Sequence, residues 1–292
     1  PLCWQSEAIA MTQIAYFDCF SGASGDMLLG ALIDVGVPLD VIRGELAKLP
    51  VAGYELSAEH VLSQGITGTR FAVRDLAKEQ PARNITVIRE LLSCGALPER
   101  VATQSLAVFE RIAAAEARIH GTTVDDIHFH EVGAVDSLVD IVGFYVALAH
   151  LGIEHVYSSG LPLGSGTVLT AHGLLPVPAP ATLALLAEKG APIVPFDAHA
   201  ELVTPTGAAL LSSAATFAQP PMRVHAVGYG FGQKQFAWPN LLRVWVGEIS
   251  AAPRPHVHEH CISEAREHGH AHHSHDHAHS LVDASPHEHE LA

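Results

Sequence analysis

With 292 residues, 48% of them hydrophobic, the chain is long enough to bury a sizeable core in one large domain or two small ones. Its formal net charge is −15, from 31 acidic and 16 basic residues, and this excludes a nucleic-acid binder, which needs a basic surface to neutralise phosphates. The four cysteines form no CxxC motif, and neither a signal peptide nor a membrane-length apolar run is evident. We therefore expect a cytoplasmic protein that does not enter a membrane.

The first predicted elements are a strand, a glycine-rich turn and a helix. We expect residues 1–12 to form an N-terminal extension, followed by a buried strand at 14–20, a turn at 21–26 and a helix at 27–35. This order leaves backbone N–H groups free at the helix N-terminus, where an anion can bind. The turn residues predicted to bind substrate are Ser21, Gly22, Ser24 and Gly25. The alternative is a tight turn in which Ser24 or Asp26 only caps the helix.

The middle of the chain alternates between helical and strand patterns. A 3.6-residue apolar period predicts a helix, and strict alternation predicts a strand. The predicted helices are 39–49, 85–92, 99–120 and 135–151, and the predicted strands are 54–61 and 66–73. Gly121 and Gly152 follow two of these helices and are predicted to end them.

The stretch that leads into the 135–151 helix combines imidazoles and carboxylates. If it begins as a strand, His128 and His130 point to one side, and a helix after it places Asp136 and Asp140 one turn apart on one face. Two nitrogens facing two carboxylates would make a mixed cage for a divalent ion. The predicted metal ligands also include Asp18 and Asp26, the two carboxylates that flank the earlier turn. The alternative is an Asp136 near an N-cap and ordinary polar histidines at a strand end.

From residue 156 onward the chain changes to short strands, turns and prolines. His172 lies in a loop rich in glycine and proline, a position that often lines a site, so we predict substrate binding, with a surface histidine as the alternative. Thr204 as N-cap and Pro205 at the first helical position predict another helix. A helix is also expected at 181–189, and strands at 193–196, 223–230 and 241–246. The alternation predicts an α/β domain over residues 13–249, with a mixed sheet and flanking helices.

Residues 250–292 have a different composition. They contain 12 of the 21 histidines, interleaved with acids, alanine, serine and proline, which predicts a disordered tail. Imidazoles that are mostly unprotonated at neutral pH suit nickel, zinc or copper, so metal capture is the expected role. The densest group of candidate ligands is His268, His270, His272, His273, His275, His277 and His279. The alternatives are a solubilising tail or a purification tag, although a tag would be a contiguous run.

Six segments together resemble the nickel-insertion protein family LarC. They occur in the family's order and are distributed along the chain from about residue 13 to 248: 16–27, 128–137, 164–166, 172–180, 201–209 and 239–244. The resemblance implies insertion of nickel into a pyridinium mononucleotide with two thiocarboxylate arms, which forms the nickel-pincer cofactor of lactate racemase. The implied enzyme is a nickel chelatase or cyclometallase, which is classed as a lyase. The resemblance also implies that it consumes CTP with manganese or magnesium and that it acts with proteins of the lactate racemase pathway.

The resemblance also implies a second domain. Family members commonly continue into a CTP-binding domain after the strand that contains Arg243, whereas this chain enters its histidine-rich tail. We therefore expect a companion chain to supply that domain, and we expect a homo-oligomer. Formation of the carbon–metal bond removes a ring proton, and the candidate bases are His130 and Glu131. Two rival hypotheses are a nickel or zinc storage or delivery protein without catalysis, and a metal-dependent hydrolase.

Overall fold

Thirteen strands and seven helices form the part of the chain that the structure, a computed structural model, describes: residues 12–77, 83–129, 135–170 and 172–249. The strands are β1 (Thr12–Asp18), β2 (Tyr54–Ser63), β3 (Ile66–Asp75), β4 (Arg83–Asn84), β5 (His128–Phe129), β6 (His155–Ser158), β7 (Leu161–Pro162), β8 (Thr167–Thr170), β9 (Gly173–Pro176), β10 (Ile193–Val194), β11 (Ala215–Phe217), β12 (Arg223–Phe231) and β13 (Leu241–Ile249). The helices are α1 (Gly25–Asp34), α2 (Leu39–Leu46), α3 (Ile85–Cys94), α4 (Glu99–His120), α5 (Val135–His150), α6 (Pro180–Lys189) and α7 (Pro205–Ala214).

Seven of the strands form one mixed sheet in the order β11-β6-β1-β13-β12-β3-β2. β1 pairs in parallel with β6 on one side and antiparallel with β13 on the other, in a register that sets Asp18 opposite Arg243. β2 and β3 form the antiparallel hairpin that their alternating pattern predicts. The expected α/β class, with a mixed sheet and flanking helices, is therefore confirmed for the described residues; the predicted tail lies outside them.

Helix α5 is the buried centre of the helical layers. Its sequence is apolar on nearly every side, and it packs against α1, α2, α4 and α7. The predicted bounds of α4 are those observed, and the helix ends at Gly121, whose φ of +63° is the left-handed conformation that glycine adopts without cost. In the described ranges no helix combines the length and the hydropathy needed to cross a bilayer.

Glycines let helix α1 lie directly on strand β12. A Cβ atom added to Gly230 would stand 1.9 Å from the carbonyl oxygen of Met27, and one added to Gly228 would stand 2.2 Å from that of Ala31. Both neighbours are backbone atoms, so neither clash can be relieved by a side-chain rotation. This close approach fixes where α1 begins, and with it the residues that open the helix.

The packing of α1 predicts the effect of a single methyl group on stability. Gly230→Ala should lower the free energy of unfolding by about 1–3 kcal/mol, because the added methyl overpacks the interface with α1. Gly44→Ala is the matched control. Gly44 lies inside helix α2, and a Cβ atom added to it would meet nothing within 4 Å. This variant should be neutral or stabilising by up to about 1 kcal/mol. Urea denaturation of both variants checks this, and equal stability of Gly230→Ala and wild type would contradict it.

Candidate acidic cavity

A cavity of about 910 Å³ lies where the N-terminal turns of α1, α5, α6 and α7 come together. The end of α4, the β8–β9 hairpin and part of β3 complete its walls. Helix N-termini carry partial positive charge and unsatisfied N–H groups, so they stabilise nearby carboxylates. This explains how several acidic side chains can occupy one side of a partly enclosed space.

The acidic side of the cavity contains Asp26, Asp136 and Asp140. Asp140 is only 9% exposed, and its Oδ1 atom is buried without a hydrogen-bond partner among the described residues. Its carboxyl group packs against the backbone of Gly25, where an added Cβ would stand 2.2 Å from Oδ2. An ionised carboxylate buried in this way is costly unless a cation or a proton neutralises it.

Desolvation and like charge raise the pKa of Asp140, which is buried, and of Asp136, which is partly desolvated. Burial raises the pKa of Asp140 well above its ordinary value, and the carboxylates of Asp26 and Asp136 raise it further. Burial also raises the pKa of Asp136, against the lowering effect of the Ser137 backbone N–H, while Asp26 and Asp75 add to the rise. The three carboxylates therefore repel one another, and this favours binding of either protons or a cation.

Asp26 is held from three directions. Its Oδ1 accepts hydrogen bonds from the Ser24 hydroxyl and from the Met27 backbone N–H (2.9 Å), and its Oδ2 accepts one from the Gln233 amide at 3.2 Å. Ser24 occupies the N-cap position of α1 but makes no side-chain capping bond, because its hydroxyl is directed to Asp26. The side chain that binds a helix N–H here is therefore Asp26.

Another part of the cavity lining combines imidazoles with apolar groups. The rings of His120, at the end of α4, and His172, at the turn of the β8–β9 hairpin, lie 4.7 Å apart between centroids. His120 Nε2 is 3.3 Å from Glu116 Oε2, one turn earlier on α4. Small and branched apolar residues complete this part of the lining: Val168, Leu175, Ala179, Pro180 and Ala181.

Six residues predicted from the sequence line this cavity together: Ser24, Gly25, Asp26, Asp136, Asp140 and His172. The predicted functions of these residues stay predictions. Thr204 also lines the cavity, and its hydroxyl accepts a hydrogen bond from the Gly207 N–H at 3.2 Å, so its expected role as the N-cap of α7 is confirmed.

Three other predicted residues are not part of the cavity lining. Asp18 is paired with the guanidinium of Arg243, whose Nε donates to Oδ2 at 2.9 Å. Ser21 accepts a hydrogen bond from Trp238 Nε1 at 2.9 Å, and Gly22 packs against the carbonyl of Leu202. Their predicted roles in metal and substrate binding have no support from this geometry, because all three are engaged in packing or pairing elsewhere.

The remaining predicted ligands cannot be assigned a geometry. His130, Glu131 and the seven tail histidines lie outside the described residues, as does the side chain of His128. Within the described ranges, no three His, Cys, Asp or Glu side chains are arranged to hold a metal ion. The carboxylates of the cavity therefore supply at most part of a coordination shell.

Sequence reasoning missed several polar residues that line the cavity, among them Glu116, His120 and Gln233. The spacing of four residues between Glu116 and His120 at a helix end is a local signal that could have identified the pair. Gln233 has no such signal, because it contacts Asp26 across 207 residues of sequence.

The fold and the cavity define an α/β protein with a large cavity lined by carboxylates, imidazoles and apolar groups. The chain belongs to the nickel insertion protein family, whose model matches residues 15–283. The curated relatives include a putative nickel insertion protein of Thermomicrobium roseum, 54% identical over 82% of this chain and 59% of its own length. A similar protein of Roseiflexus castenholzii is 52% identical over 82% of this chain and 60% of its own.

A third relative has a more specific name. It is the pyridinium-3,5-bisthiocarboxylic acid mononucleotide nickel insertion protein of Desulfitobacterium hafniense, 50% identical over 81% of this chain and 58% of its own length. The chain thus spans about three fifths of the length of these relatives. No solved structure matches it.

The raised pKa of Asp140 predicts a pH-dependent effect of its replacement. The folded state binds the Asp140 proton more tightly than the unfolded chain does. The free energy of unfolding therefore falls as the pH rises from about 4, the ordinary carboxyl pKa, to the raised pKa of Asp140 in the folded state. In the presence of a chelator, Asp140→Asn should be more stable than wild type at pH 7 by at least about 1 kcal/mol. The difference should shrink towards pH 4, which denaturation at several pH values measures.

The control is Asp197→Asn, which changes an exposed carboxylate outside the cavity lining. It should show no comparable gain at pH 7. A wild type more stable than Asp140→Asn at pH 7 without metal would mean that the buried carboxylate has a stabilising partner, contrary to the geometry.

Proposed function

We propose that this chain inserts nickel into a pyridinium bisthiocarboxylate mononucleotide, to form the nickel-pincer cofactor of lactate racemase, with the acidic cavity as the site of insertion. The observation that carries the proposal is the unpartnered, buried oxygen of Asp140 beside two further carboxylates in a chain of the nickel insertion family. The name of the Desulfitobacterium hafniense relative supports this substrate.

The lining of the cavity suits the two parts of such a substrate. A volume of about 910 Å³ lies within the range of small-molecule sites and can accommodate a mononucleotide. The apolar wall of Val168, Leu175 and Pro180 offers contact to a planar ring, and the positive charge of a pyridinium is attracted to the carboxylates. Nickel between the carboxylates and the sulfur arms would offset the repulsion between these negative groups.

The proton balance of the reaction requires a base. Nickel forms a bond to a ring carbon, and the hydrogen on that carbon leaves as a proton, so a side chain or water must accept it. His130 and Glu131 are the candidates from the sequence. They follow Phe129, which lines the cavity, and this neighbourhood supports the assignment although both residues lie outside the described ranges.

CTP with manganese or magnesium is not supported at this cavity. Its lining carries carboxylates and histidines, and none of the described lining residues is a lysine or arginine that would bind a triphosphate. We propose that a second domain, rather than this cavity, binds the nucleotide. We also propose that a companion chain supplies the CTP-binding domain, that the chain forms a homo-oligomer and that it acts in the cytoplasm.

The proposal predicts that the carboxylates of Asp136 and Asp140 are needed for insertion. The full chain is incubated with nickel and the substrate, with and without CTP, Mg²⁺ and a candidate second-domain chain, and mass spectrometry follows nickel incorporation. Asp136→Asn and Asp140→Asn should each lower kcat/KM by on the order of 10–100-fold, the effect typical of a lost group around a metal. Asp197→Asn is the control, and full activity of both cavity variants would refute the cavity as the site.

Replacing the twelve tail histidines by glutamine separates the proposal from a storage protein. If the tail only collects nickel, the variant should need more nickel for half-maximal insertion, on the order of tenfold, with kcat unchanged at saturating nickel. A storage protein predicts that the variant loses all tight nickel binding and that neither protein inserts nickel. A metal-dependent hydrolase instead predicts turnover of a phosphoester or amide without any added nucleotide.

A further inference from the structure

Gln233 connects the acidic side of the cavity to the sheet. Its Nε2 atom donates hydrogen bonds to Asp26 Oδ2 at 3.2 Å and to the carbonyl oxygen of Phe71, on β3, at 2.9 Å. Because Ser24 and Met27 bind the other oxygen of Asp26, the whole carboxylate is fixed. Its orientation next to Asp136 and Asp140 therefore depends on a residue that follows β12 in the chain.

The segment that carries Gln233, residues 232–240, is fixed at both ends by hydrogen bonds. The Gly232 N–H donates to the Asn240 carbonyl at 2.9 Å, and the Asn240 amide donates to the Lys234 carbonyl at 2.9 Å. Ser21 joins the segment to the turn before α1, since its hydroxyl accepts from Trp238 Nε1 at 2.9 Å and donates to Asn240 Oδ1 at 3.3 Å. Ser21 thus acts at a distance from the cavity, through the loop that presents Gln233.

The chemical nature of the donor matters because it decides how much charge Asp26 retains. The guanidinium of Arg243 neutralises Asp18, which leaves that carboxylate little attraction for another cation. Asp26 is held by an amide, a hydroxyl and a backbone N–H, all of which are neutral. Its negative charge therefore remains available to a cation in the cavity.

We propose that Gln233 is a positioning residue for nickel insertion, whose neutral amide holds Asp26 beside Asp136 and Asp140 without cancelling its charge. The inference rests on the proposed function, because it assigns these carboxylates to the site where the metal is handed over. Groups that orient the ligands of a metal affect its affinity without touching it.

Mn²⁺ is a suitable probe, because manganese favours carboxylate oxygens and the histidine-rich tail favours softer ions. Electron paramagnetic resonance measures free Mn²⁺ during titration of the full chain, and the part of the binding lost in Asp140→Asn defines the cavity. Gln233→Leu should weaken this binding about tenfold. Gln233→Lys keeps a donor but adds a positive charge, and it should weaken binding at least as much.

The Gln233→Lys variant distinguishes two roles for Gln233: holding Asp26 in place without neutralising its charge, and supporting the fold only. If Gln233 only supports the fold, lysine should restore binding along with the hydrogen bond, and that result would overturn the proposal. Mn²⁺ binding by Gln233→Leu within twofold of wild type would do the same. Should Gln233→Leu fail to fold, the Gln233→Lys and Ser21→Ala variants test the proposal instead. Ser21→Ala should weaken Mn²⁺ binding by a smaller factor, because it only loosens the loop that presents Gln233.

The control is Gln104→Leu, which removes an amide from α4 outside the cavity lining and should leave Mn²⁺ binding unchanged. The same variants are then assayed for nickel insertion, where Gln233→Leu should raise the KM for nickel more than it lowers kcat. Absence of insertion by wild type, with the Mn²⁺ results as expected, would refute the proposed function and leave the positioning role intact. Mn²⁺ binding that Asp140→Asn does not alter would overturn the inference.

Discussion

The burial of the Asp140 carboxylate against the backbone of Gly25 is the contact on which the cavity depends. Helix α5 is apolar on almost every side, so a carboxylate on it is forced into a low-dielectric setting, where an unpaired charge is unfavourable. A side chain at position 25 would occupy the space of the carboxyl group. A second glycine, Gly207, lets the start of α7 approach Ala23 just as closely. These two contacts bring three helix N-termini to one point.

Local signals in the sequence were sufficient for much of the fold. The period of α5, the glycine after α4 and the Thr204–Pro205 start of α7 each involve residues within a few positions of one another, and all are observed. The order of the sheet was not predictable in this way, because it follows from pairings between distant strands. The short strand β11, at one edge of the sheet, has too few residues to show any periodicity.

The candidate site shows the same division between local and distant causes. Asp18 and Asp26 flank one turn and look equivalent in the sequence, yet one is neutralised by Arg243 and the other opens into the cavity. The register of β1 with β13 decides this difference, and that pairing joins residues 225 apart. Asp136 and Asp140 were identified together because their spacing of four places them on one face of a single helix. Gln233 reaches Asp26 only through the folded chain, so no local pattern could reveal it.

Under the proposed function, the carboxylates of the cavity would suit transfer of nickel better than its retention. Nickel binds imidazole well and carboxylate oxygen less well, and a complete shell of nitrogen and sulfur ligands would hold it too tightly to release. Within the described residues the cavity offers carboxylates that do not complete a three-ligand site. Such ligands attract the ion through charge, and they are readily displaced by the softer sulfur atoms of a thiocarboxylate. Under the proposed function, a buried carboxylate that is costly when unpaired would attract the metal without competing with the substrate for it.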